Sequence, residues 1–338
     1  MLPGIIDKLL DFKNLSLLES YKAMKYIISG KANDCQIASF LTALKMKGET
    51  IEEISGFSKA MLEVATKYKL SHKVIVDTCG TGGDGKNTFN ISTTAAFIAA
   101  GAGVIIAKHG NRGVSSLSGS ADVLEELGIK ISIEPGDVVN CIEKLGIGFI
   151  YARDAHKAMK NVAKARRDLG MQTVFNILGP ITNPAMATGR VLGVFDRKLM
   201  EKMTYSLKEL GINRALVVYG LETLDEISVS GDTLVSDLNA GEVKKYTINP
   251  KDFGFSLFPL KELTGGSPKE NAEIILEILS GKEKGAKRIA SILNASAAII
   301  AGERAKNFPQ AIRLAEESID RGMALEKLNK LIEMTNKC

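Results

Sequence analysis

The stretch from Asp77 to Thr94, DTCGTGGDGKNTFNISTT, determines how this chain folds. It follows a short apolar run at residues 74–76, and a run of small residues typical of a helix begins near Ser92. Between the two lie four glycines, Gly80, Gly82, Gly83 and Gly85. Glycines let backbone N–H groups approach an anion, and a helix N-terminus adds partial positive charge. The stretch therefore predicts a strand, a phosphate-binding turn and a helix, with a plain glycine-rich turn as the alternative.

Two common nucleotide-binding motifs nearly fit this stretch. Residues 80–85 match GxGxxG, but dinucleotide binding also needs an acid about 20 residues further on, where the chain has Lys108 and His109 after its next strand. Residues 80–86 imitate GxxxxGK, but Asn87 stands where a hydroxyl should bind Mg²⁺. Asp84 would repel a bare phosphate, so we expect it to accept hydrogen bonds from sugar hydroxyls or N–H groups, or to help hold a metal.

The composition is that of a globular protein with more than one domain. With 338 residues, 45% of them hydrophobic, the chain can bury a sizeable core and is long for a single domain. A net charge of +5 suits small polyanionic ligands and does not indicate nucleic acid as a partner. The four cysteines show no paired spacing, which predicts free thiols in a reducing compartment. No signal peptide or membrane-spanning run is recognisable, so we expect a cytoplasmic protein without a membrane partner.

The chain divides into a helical start and an alternating remainder. In residues 1–70, capping boxes at Ser16 and Thr50 precede amphipathic runs, and a third such run is Cys35–Lys47. We expect a small helical domain here, joined by a returning segment near residues 160–185. A domain so short usually buries one face against the rest of the chain or against another subunit.

Residues 73–338 predict a larger α/β domain with a mostly parallel central sheet flanked by helices. Its parallel strands are predicted at five short apolar runs: Val74–Val76, Val104–Ala107, Phe149–Tyr151, Val191–Phe195 and Ala215–Tyr219. Helices are predicted at Ala121–Leu127, Val138–Leu145 and Lys198–Leu210. Residues 233–248 are typical of a strand pair, and a helix N-cap at Ser267 begins a helical C-terminal part.

Basic residues follow the second predicted strand, and ligands of open parallel sheets bind at the carboxyl ends of strands. The residues there are Lys108, His109, Gly110, Asn111, Arg112, Gly113, Val114, Ser115 and Ser116, with Ser120 as the expected N-cap of the next helix. Cationic side chains among glycines and hydroxyls predict a second anion-binding loop. A basic surface loop is the alternative.

Two adjacent carboxylates, Asp225 and Glu226, follow the predicted strand at Ala215–Tyr219. Carboxylate oxygens at a strand end suit Mg²⁺ that is shared with substrate phosphates. The alternative is a solvated acidic loop.

A separate cationic segment follows the third predicted strand and could meet a carboxylate. It holds His156, Lys160, Arg166 and Arg167. In one unbroken helix, His156 and Arg166 would lie about 15 Å apart and could not both bind one small acid. A solvated basic helix face is the alternative.

Four motifs together resemble those of the anthranilate phosphoribosyltransferase family. They are DTCGTGGDGKNTFNIST at residues 77–93, KHGNRGVSSLSGSADVLEELG at residues 108–128, RRDLGMQTVFNILGPITNPA at residues 166–185, and the pair Asp225-Glu226. The likeness extends over most of the chain. It implies transfer of the phosphoribosyl group of phosphoribosyl pyrophosphate to the amino group of anthranilate, in tryptophan biosynthesis. It also implies Mg²⁺, two ions per subunit, and a homodimer joined through the helical domains.

The resemblance further implies roles for particular residues. Phosphoribosyl pyrophosphate would contact Gly80, Gly83, Asp84, Thr88, Asn90, Ile91, Ser92 and Thr93, then Lys108 through Ser116, and Ser120. Anthranilate would contact Gly80, Asn111, His156 and Arg166, and the metals would be held by Ser92, Asp225 and Glu226. Lys108, Asp84 and Asn111 would act in catalysis. The family commonly has proline where this chain has Lys157.

Two other interpretations stay open at this level. A pyrimidine nucleoside phosphorylase is related in fold, but that family has Lys-His-Ser ahead of its glycines where residues 78–81 here are Thr-Cys-Gly-Thr. A non-catalytic protein that binds nucleic acid belongs to a different class. The acidic pair and the modest net charge argue against it, because a pure binder needs no metal carboxylates.

Overall fold

The computed structural model describes residues 2–113 and 117–338, and the chain begins with four helices. They are α1 (Leu2–Leu10), α2 (Leu17–Ile28), α3 (Asp34–Lys47) and α4 (Ile51–Val64). Reciprocal capping boxes begin three of them, from Ser16, Asn33 and Thr50. In each box, the cap side chain accepts the backbone N–H three residues on, whose own side chain bonds back. The helical start and its boxes at Ser16 and Thr50 are confirmed.

A seven-stranded sheet forms the centre of the remainder. Its strands are β1 (Val76–Gly80), β2 (Ile106–Gly110), β3 (Ile147–Tyr151), β4 (Gly189–Gly193), β5 (Arg214–Gly220), β6 (Thr233–Asn239) and β7 (Glu242–Ile248). They lie in the order β3-β2-β1-β4-β5-β6-β7. The first five pair in parallel, and β6 and β7 extend the sheet as an antiparallel hairpin. The predicted mostly parallel sheet and the strand pair at residues 233–248 are confirmed.

The other helices lie around this sheet or pack against the N-terminal helices. In chain order they are α5 (Ile91–Gly101), α6 (Ser120–Glu126), α7 (Pro135–Leu145), α8 (Ala152–Ala155), α9 (Lys160–Leu169), α10 (Val174–Leu178), α11 (Arg197–Glu209), α12 (Pro268–Leu279), α13 (Ala286–Ala301), α14 (Phe308–Asp320) and α15 (Met323–Asn336). Within the described residues, none of these or the earlier helices has the length and apolar character that crossing a membrane requires.

The two largest hydrophobic cores of the described residues lie on opposite faces of the sheet, as the alternation of side chains along a strand requires. Leu216 and Val218 of β5 face one core, which is filled by α5 and α13 with help from α12, α14 and α15. Ala215 and Val217 face the other, which the strands share with α11 and the N-terminal helices. Side chains of α9 and α10 belong to this second core. The chain therefore returns to its N-terminal helices between β3 and β4.

The central strands hold buried polar residues, which the sequence analysis placed outside the strands. The strand predicted at 74–76 was wrong in its bounds, because β1 begins at Val76 and continues through Asp77 to Gly80. β2 likewise extends past Ala107 to Gly110, and β4 begins earlier, at Gly189, and ends before Phe195. Polar residues are tolerated inside these strands because they form hydrogen bonds and an ion pair with one another. Asp77 accepts the backbone N–H of His109 at 3.0 Å and pairs with Arg190 at 2.5 Å.

The order of strands reverses between β1 and β4, and such a reversal opens a crevice where α/β folds bind ligands. Gly193 ends β4 at this point. A Cβ atom built on Gly193 would lie 1.5 Å from the carbonyl oxygen of Asp225. Only glycine allows the backbone of the acidic pair to lie directly against the end of β4.

We predict that Gly193→Ala lowers the free energy of unfolding by about 2 kcal/mol or more, because the methyl group and the Asp225 carbonyl cannot occupy the same space. Gly136→Ala is the matched control, since no heavy atom lies within 4 Å of the added Cβ. Gly136 lies in the first turn of α7, where alanine is the better helix former. Urea unfolding of both variants is the measurement, and equal stability of the two would contradict the packing argument.

Candidate active site

The glycine-rich turn folds over the acidic pair. Gly82, Gly83 and Gly85 adopt φ angles of +64°, +84° and +68°, a left-handed conformation that glycine adopts without strain. The turn is tied down because the N–H of Gly82 donates to the Asp225 carboxylate at 2.7 Å. Gly80 ends β1 so close by that a Cβ there would lie 2.3 Å from the same carboxylate. The predicted glycine turn and acidic pair, about 140 residues apart, thus meet at one edge of the sheet.

The turn leads into the N-terminus of α5. Asn90 is the N-cap residue, but its side chain makes no capping bond and instead contacts the carbonyl of Ser118 at 3.1 Å and the Asn271 amide at 3.0 Å. Thr88 forms an isolated bridge with Thr264. These contacts tie the start of α5 to two other segments and leave its first-turn N–H groups uncapped by Asn90. An uncapped helix N-terminus is suited to an anion.

Side chains of the first turn of α5 differ in their accessibility. Ile91 and Thr93 are each 1% exposed, so their side chains are buried and do not reach a ligand. The Ser92 backbone bonds to the carboxyl of Glu226, and the Ser92 hydroxyl lies 3.4 Å from the ammonium of Lys108. Ser92 is therefore the residue that joins the helix, the acidic pair and the buried lysine.

Lys108 is buried near the end of β2 and directs its charge toward the site. Its ammonium donates to the carbonyl oxygen of Thr78 at 2.6 Å. Burial lowers the pKa of this ammonium, while the nearby carboxyls of Asp77 and Glu226 act to raise it. The prediction that Lys108, His109 and Gly110 belong to a loop was wrong, because β2 includes all three.

The acidic pair is half-buried and carries more negative charge than its surroundings balance. Burial, followed by repulsion from Asp84, raises the pKa of Asp225 to about 7. Burial and the neighbouring Asp225 also raise the pKa of Glu226 well above its usual value. The Oδ2 atom of Asp84 is buried and has no hydrogen-bond partner among the described residues. Carboxyls with raised pKa values, next to a carboxylate oxygen without a hydrogen-bond partner, indicate a cation-binding site.

These residues fit Mg²⁺ in an open site. Among residues 2–113 and 117–338, no group of three His, Cys, Asp or Glu side chains could hold a metal by itself. Mg²⁺, however, commonly uses one or two carboxylates and takes its other ligands from substrate phosphates and water. Asp225, Glu226 and the Ser92 hydroxyl provide such a partial set.

The second predicted anion loop is held by hydrogen bonds from its own helix. The prediction of Ser120 as N-cap was wrong by one residue: Gly119 is the N-cap, because Asp122 accepts its N–H. The hydroxyl of Ser120 instead donates to the carbonyl oxygen of Asn111 at 3.3 Å. Asn111 in turn accepts the N–H of Arg112 with its side chain, at 2.9 Å. The predicted residues Val114, Ser115 and Ser116 lie outside the described part of the chain.

The cationic segment breaks at His156. α8 ends at Ala155, a single 3₁₀ turn follows over Lys157–Met159, and α9 begins at Lys160. The assumption of one unbroken helix, and with it the separation of about 15 Å, therefore does not apply. A break at this point allows the two halves of the segment to face different surroundings.

His156 and Arg166 are held in different ways. The Nε2 atom of His156 lies 3.0 Å from the carbonyl oxygen of Thr182, and its ring meets that of His109 edge-on at 5.1 Å. Burial lowers the pKa of His156 to about 4, so the ring is neutral at pH 7. The guanidinium of Arg166 lies over the ring of Phe175 at 5.1 Å. Burial alone acts on the pKa of Arg166, which it lowers, and within the described residues no carboxylate pairs with this guanidinium, which leaves it available to an acid.

Several residues that shape the site were not among the sequence predictions. They are Arg190, Gly193, Gln172 and Asp122. Arg190, inside an otherwise apolar strand run, was a signal of a buried ion pair, and Gly193 at a strand end was a signal of close backbone approach. Gln172 carried no such signal, although its amide lies 2.6 Å from the position of a Cβ on Gly83.

The class of protein follows from two family models that match the chain. The helical bundle domain of a glycosyl transferase family matches residues 3–65, and the a/b domain of a glycosyl transferase family matches residues 72–325. The chain is therefore a glycosyltransferase of this two-domain class. Among similar proteins are the anthranilate phosphoribosyltransferases of Acetivibrio thermocellus, at 52% identity over 99% of this chain and 97% of that protein, and of Clostridium kluyveri, at 50% identity over 99% and 100%.

Solved structures agree with these relatives. Anthranilate phosphoribosyltransferase from Thermus thermophilus is similar with a TM-score of 0.93 and 39% identity, covering 98% of this chain and 99% of that one. The enzyme from Saccharomyces cerevisiae in complex with PRPP and Mg has a TM-score of 0.91 and 31% identity, covering 100% and 98%. The chain belongs to the anthranilate phosphoribosyltransferase family.

We predict that the double variant Asp225→Asn/Glu226→Gln is no less stable than the parent at pH 8 without metal, yet loses activity. Because the pKa of Asp225 is raised from 3.8 to about 7, its cost to folding grows as the pH rises between these two values and is fully present at pH 8; the amides remove the cost of ionising the pair. Transfer should slow by roughly 10²–10³-fold, as for loss of a charge-stabilising group, and recover in part at high Mg²⁺. Glu273→Gln, an exposed position on α12, is the control. Unchanged kcat and Mg²⁺ dependence would show that the pair is only a loop.

Proposed function

We propose that this chain carries out the transfer for which its family is named. The phosphoribosyl group of phosphoribosyl pyrophosphate passes to the amino group of anthranilate, giving N-(5-phosphoribosyl)anthranilate and pyrophosphate, a step of tryptophan biosynthesis. The single observation that carries this assignment is the glycine turn bound to Asp225 at the reversal of strand order. A phosphate-binding turn in contact with metal-type carboxylates suits a substrate that is both phosphorylated and metal-bound.

Phosphoribosyl pyrophosphate is assigned to the glycine turn and the start of α5. Backbone N–H groups of Gly83 and of the first turn of α5 meet its phosphates, and Asp84 accepts a sugar hydroxyl. Lys108 supplies fixed positive charge where the pyrophosphate departs, and Asn111 lies at the end of the same strand. When bound, Mg²⁺ neutralises developing negative charge on the leaving group, and we propose two ions per subunit held by Ser92, Asp225 and Glu226.

Anthranilate is assigned to the opposite side of the crevice, near Gly80 and Asn111. Arg166 binds its carboxylate, because the guanidinium stacks on Phe175 and is free of an acidic partner among the described side chains. His156 and His109 form an uncharged surface of the site, because both rings are buried and both have lowered pKa values. An uncharged surface suits the apolar ring of anthranilate.

The chemistry needs electrostatic stabilisation and orientation more than an acid–base pair. The C1–O bond of the ribose breaks as the pyrophosphate leaves, so the transition state has oxocarbenium character at C1 and growing negative charge on the leaving oxygen. Lys108 and uncapped N–H groups lie fixed where that charge grows. The amine of anthranilate is neutral at pH 7 and attacks C1 directly, losing its proton afterwards. Exclusion of water protects the activated sugar from hydrolysis.

We also propose that residues 1–70, with the returning segment near 160–185, act as a domain that closes against residues 73–338. The protein acts in the cytoplasm as a homodimer. Support for the dimer comes from large apolar side chains that are exposed on the N-terminal helices and the turns beside them: Leu10, Phe12, Leu18 and Met46, with 57–68% of each exposed. Exposed groups of this kind mark interaction surfaces.

Arg166→Ala should raise the KM for anthranilate and leave that for phosphoribosyl pyrophosphate nearly unchanged. A charge-assisted contact of this type implies a fall of roughly 10- to 150-fold in kcat/KM for anthranilate. Loss of anthranilate fluorescence in the presence of phosphoribosyl pyrophosphate and Mg²⁺ is the measurement. Arg167→Ala is the matched control, and a larger effect there would place the contact one residue on. Failure of the folded parent to consume anthranilate would overturn the proposed function.

Static light scattering at micromolar protein should give the mass of a dimer. Phe12→Asp/Met46→Asp should shift the mass toward that of a monomer, because burying two carboxylates at an interface opposes association. Leu276→Asp makes the same kind of change at an exposed leucine of α12 and should leave the dimer intact. A monomeric parent, or equal effects of both sets of changes, would refute an interface on the N-terminal helices.

A further inference from the structure

Two acids of α6, Asp122 and Glu125, contact the second anion loop, and neither was among the predicted site residues. Asp122 accepts three hydrogen bonds: from the N–H of Gly113 at 2.8 Å, from the N–H of Gly119 at 2.9 Å, and from the Arg112 guanidinium at 3.1 Å. Two of the three come from backbone N–H groups on either side of the loop. Asp122 therefore fixes how the loop begins and ends.

Glu125 has a different set of contacts. Both of its oxygens bond to the guanidinium of Arg112, at 2.5 Å to Nη1 and 3.0 Å to Nη2. This is the bidentate hydrogen bonding that arginine forms with carboxylates and also with phosphates. No other side-chain partner of Glu125 is found among the described residues. The side-chain contact of Glu125 in the described structure is therefore with the edge of Arg112 that a phosphate would use.

The surroundings of Arg112 strengthen the comparison with a phosphate ligand. Its guanidinium also lies 6.0 Å from the centre of the Tyr151 ring, at the end of β3. Hydrogen bonds to Glu125 and then Asp122 hold the pKa of Arg112 above its ordinary value. About 40% of each side chain of the Arg112–Glu125 pair is exposed, so the pair can open without unfolding its helix.

We propose that Glu125 limits the affinity for the diphosphate part of the substrate by competing with it for Arg112, while Asp122 positions the loop. The inference rests on the proposed binding of pyrophosphate by this loop. The two neighbouring acids then have opposite effects on the affinity for the diphosphate. Removing the Glu125 charge releases Arg112 to the ligand, whereas removing the Asp122 charge frees the two backbone N–H groups that shape the loop.

The size of the expected effect follows from the exposure of the pair. Exposed ion pairs are weak, so loss of Glu125 should tighten binding by about two- to fivefold at moderate salt. The gain should shrink as salt is raised, since screening weakens both the internal pair and its replacement. The KM for phosphoribosyl pyrophosphate should fall by a similar factor, and the KM for anthranilate should not change.

Calorimetric titration of the full-length protein with inorganic pyrophosphate, in excess Mg²⁺, tests the proposal without relying on activity. Glu125→Gln should lower the Kd about two- to fivefold, and Asp122→Asn should raise it. Glu126→Gln is the matched control, because it removes the same charge one residue along the same helix from an exposed position. In an Arg112→Gln background, adding Glu125→Gln should produce no further change.

The outcomes separate this inference from the proposed function. Suppose that the parent binds pyrophosphate and that Glu125→Gln leaves the Kd unchanged or raises it. The proposed competition would then be overturned, and the proposed transfer would remain intact. An equal decrease of the Kd for pyrophosphate in Glu126→Gln would also overturn the competition, because the effect would then come from the change in net charge and not from Arg112. Absence of pyrophosphate binding by the folded parent would count against both. Opposite signs for Glu125→Gln and Asp122→Asn, with loss of the Glu125 effect in the Arg112→Gln background, would support it.

Discussion

The carboxylate of Asp77 is the interaction on which the centre of this structure depends. It is fully buried, and it joins three strands: it lies on β1, pairs with Arg190 of β4 and accepts the N–H of His109 on β2. Removing one partner of a buried ion pair strands the other charge in the core and destabilises a fold by about 3–5 kcal/mol. Because Lys108 precedes His109 in β2, the same bond fixes where the buried ammonium lies. One carboxylate thus links three strands of the sheet and helps to position the buried ammonium of Lys108.

The acidic pair is placed by close backbone packing together with a hydrogen bond from the glycine turn. Gly80 and Gly193 end two adjacent strands, and each lies so close to Asp225 that a side chain would collide with it. The N–H of Gly82 donates to the Asp225 carboxylate and offsets part of its charge. Burial, and after it repulsion from Asp84 on Asp225 and from Asp225 on Glu226, raises the pKa values of the pair. The fold therefore tolerates an unfavourable cluster at the position where a cation is useful, as functional sites commonly do.

The sequence predicted the fold class, the capping boxes, the glycine turn and the meeting of that turn with the acidic pair. These features depend on local patterns or on the general placement of ligand sites at strand ends. The strand bounds and the N-cap of α6 were harder, because they depend on partners distant in sequence. Asp77 resembles a loop residue until Arg190 is known to lie beside it, and Ser120 resembles an N-cap until Asp122 is seen to bond to Gly119. The break at His156 likewise follows from its tertiary contact with Thr182, for which the local sequence carries no signal.

The cations around the crevice are held in three different ways, and the differences indicate how charge is divided in the protein before a ligand binds. Lys108 is bonded to the neutral carbonyl of Thr78, so this bond does not neutralise its charge, although burial lowers the pKa of the ammonium. Arg166 rests on an aromatic ring, which orients the guanidinium without neutralising it. Arg112 alone among these three is paired with carboxylates, on the solvent side of the second loop. Lys108 and Arg166 therefore have no carboxylate paired with them among the described residues, whereas the charge of Arg112 is balanced by Asp122 and Glu125. Such an arrangement favours a ligand able to reach the buried lysine over anions that meet only the surface.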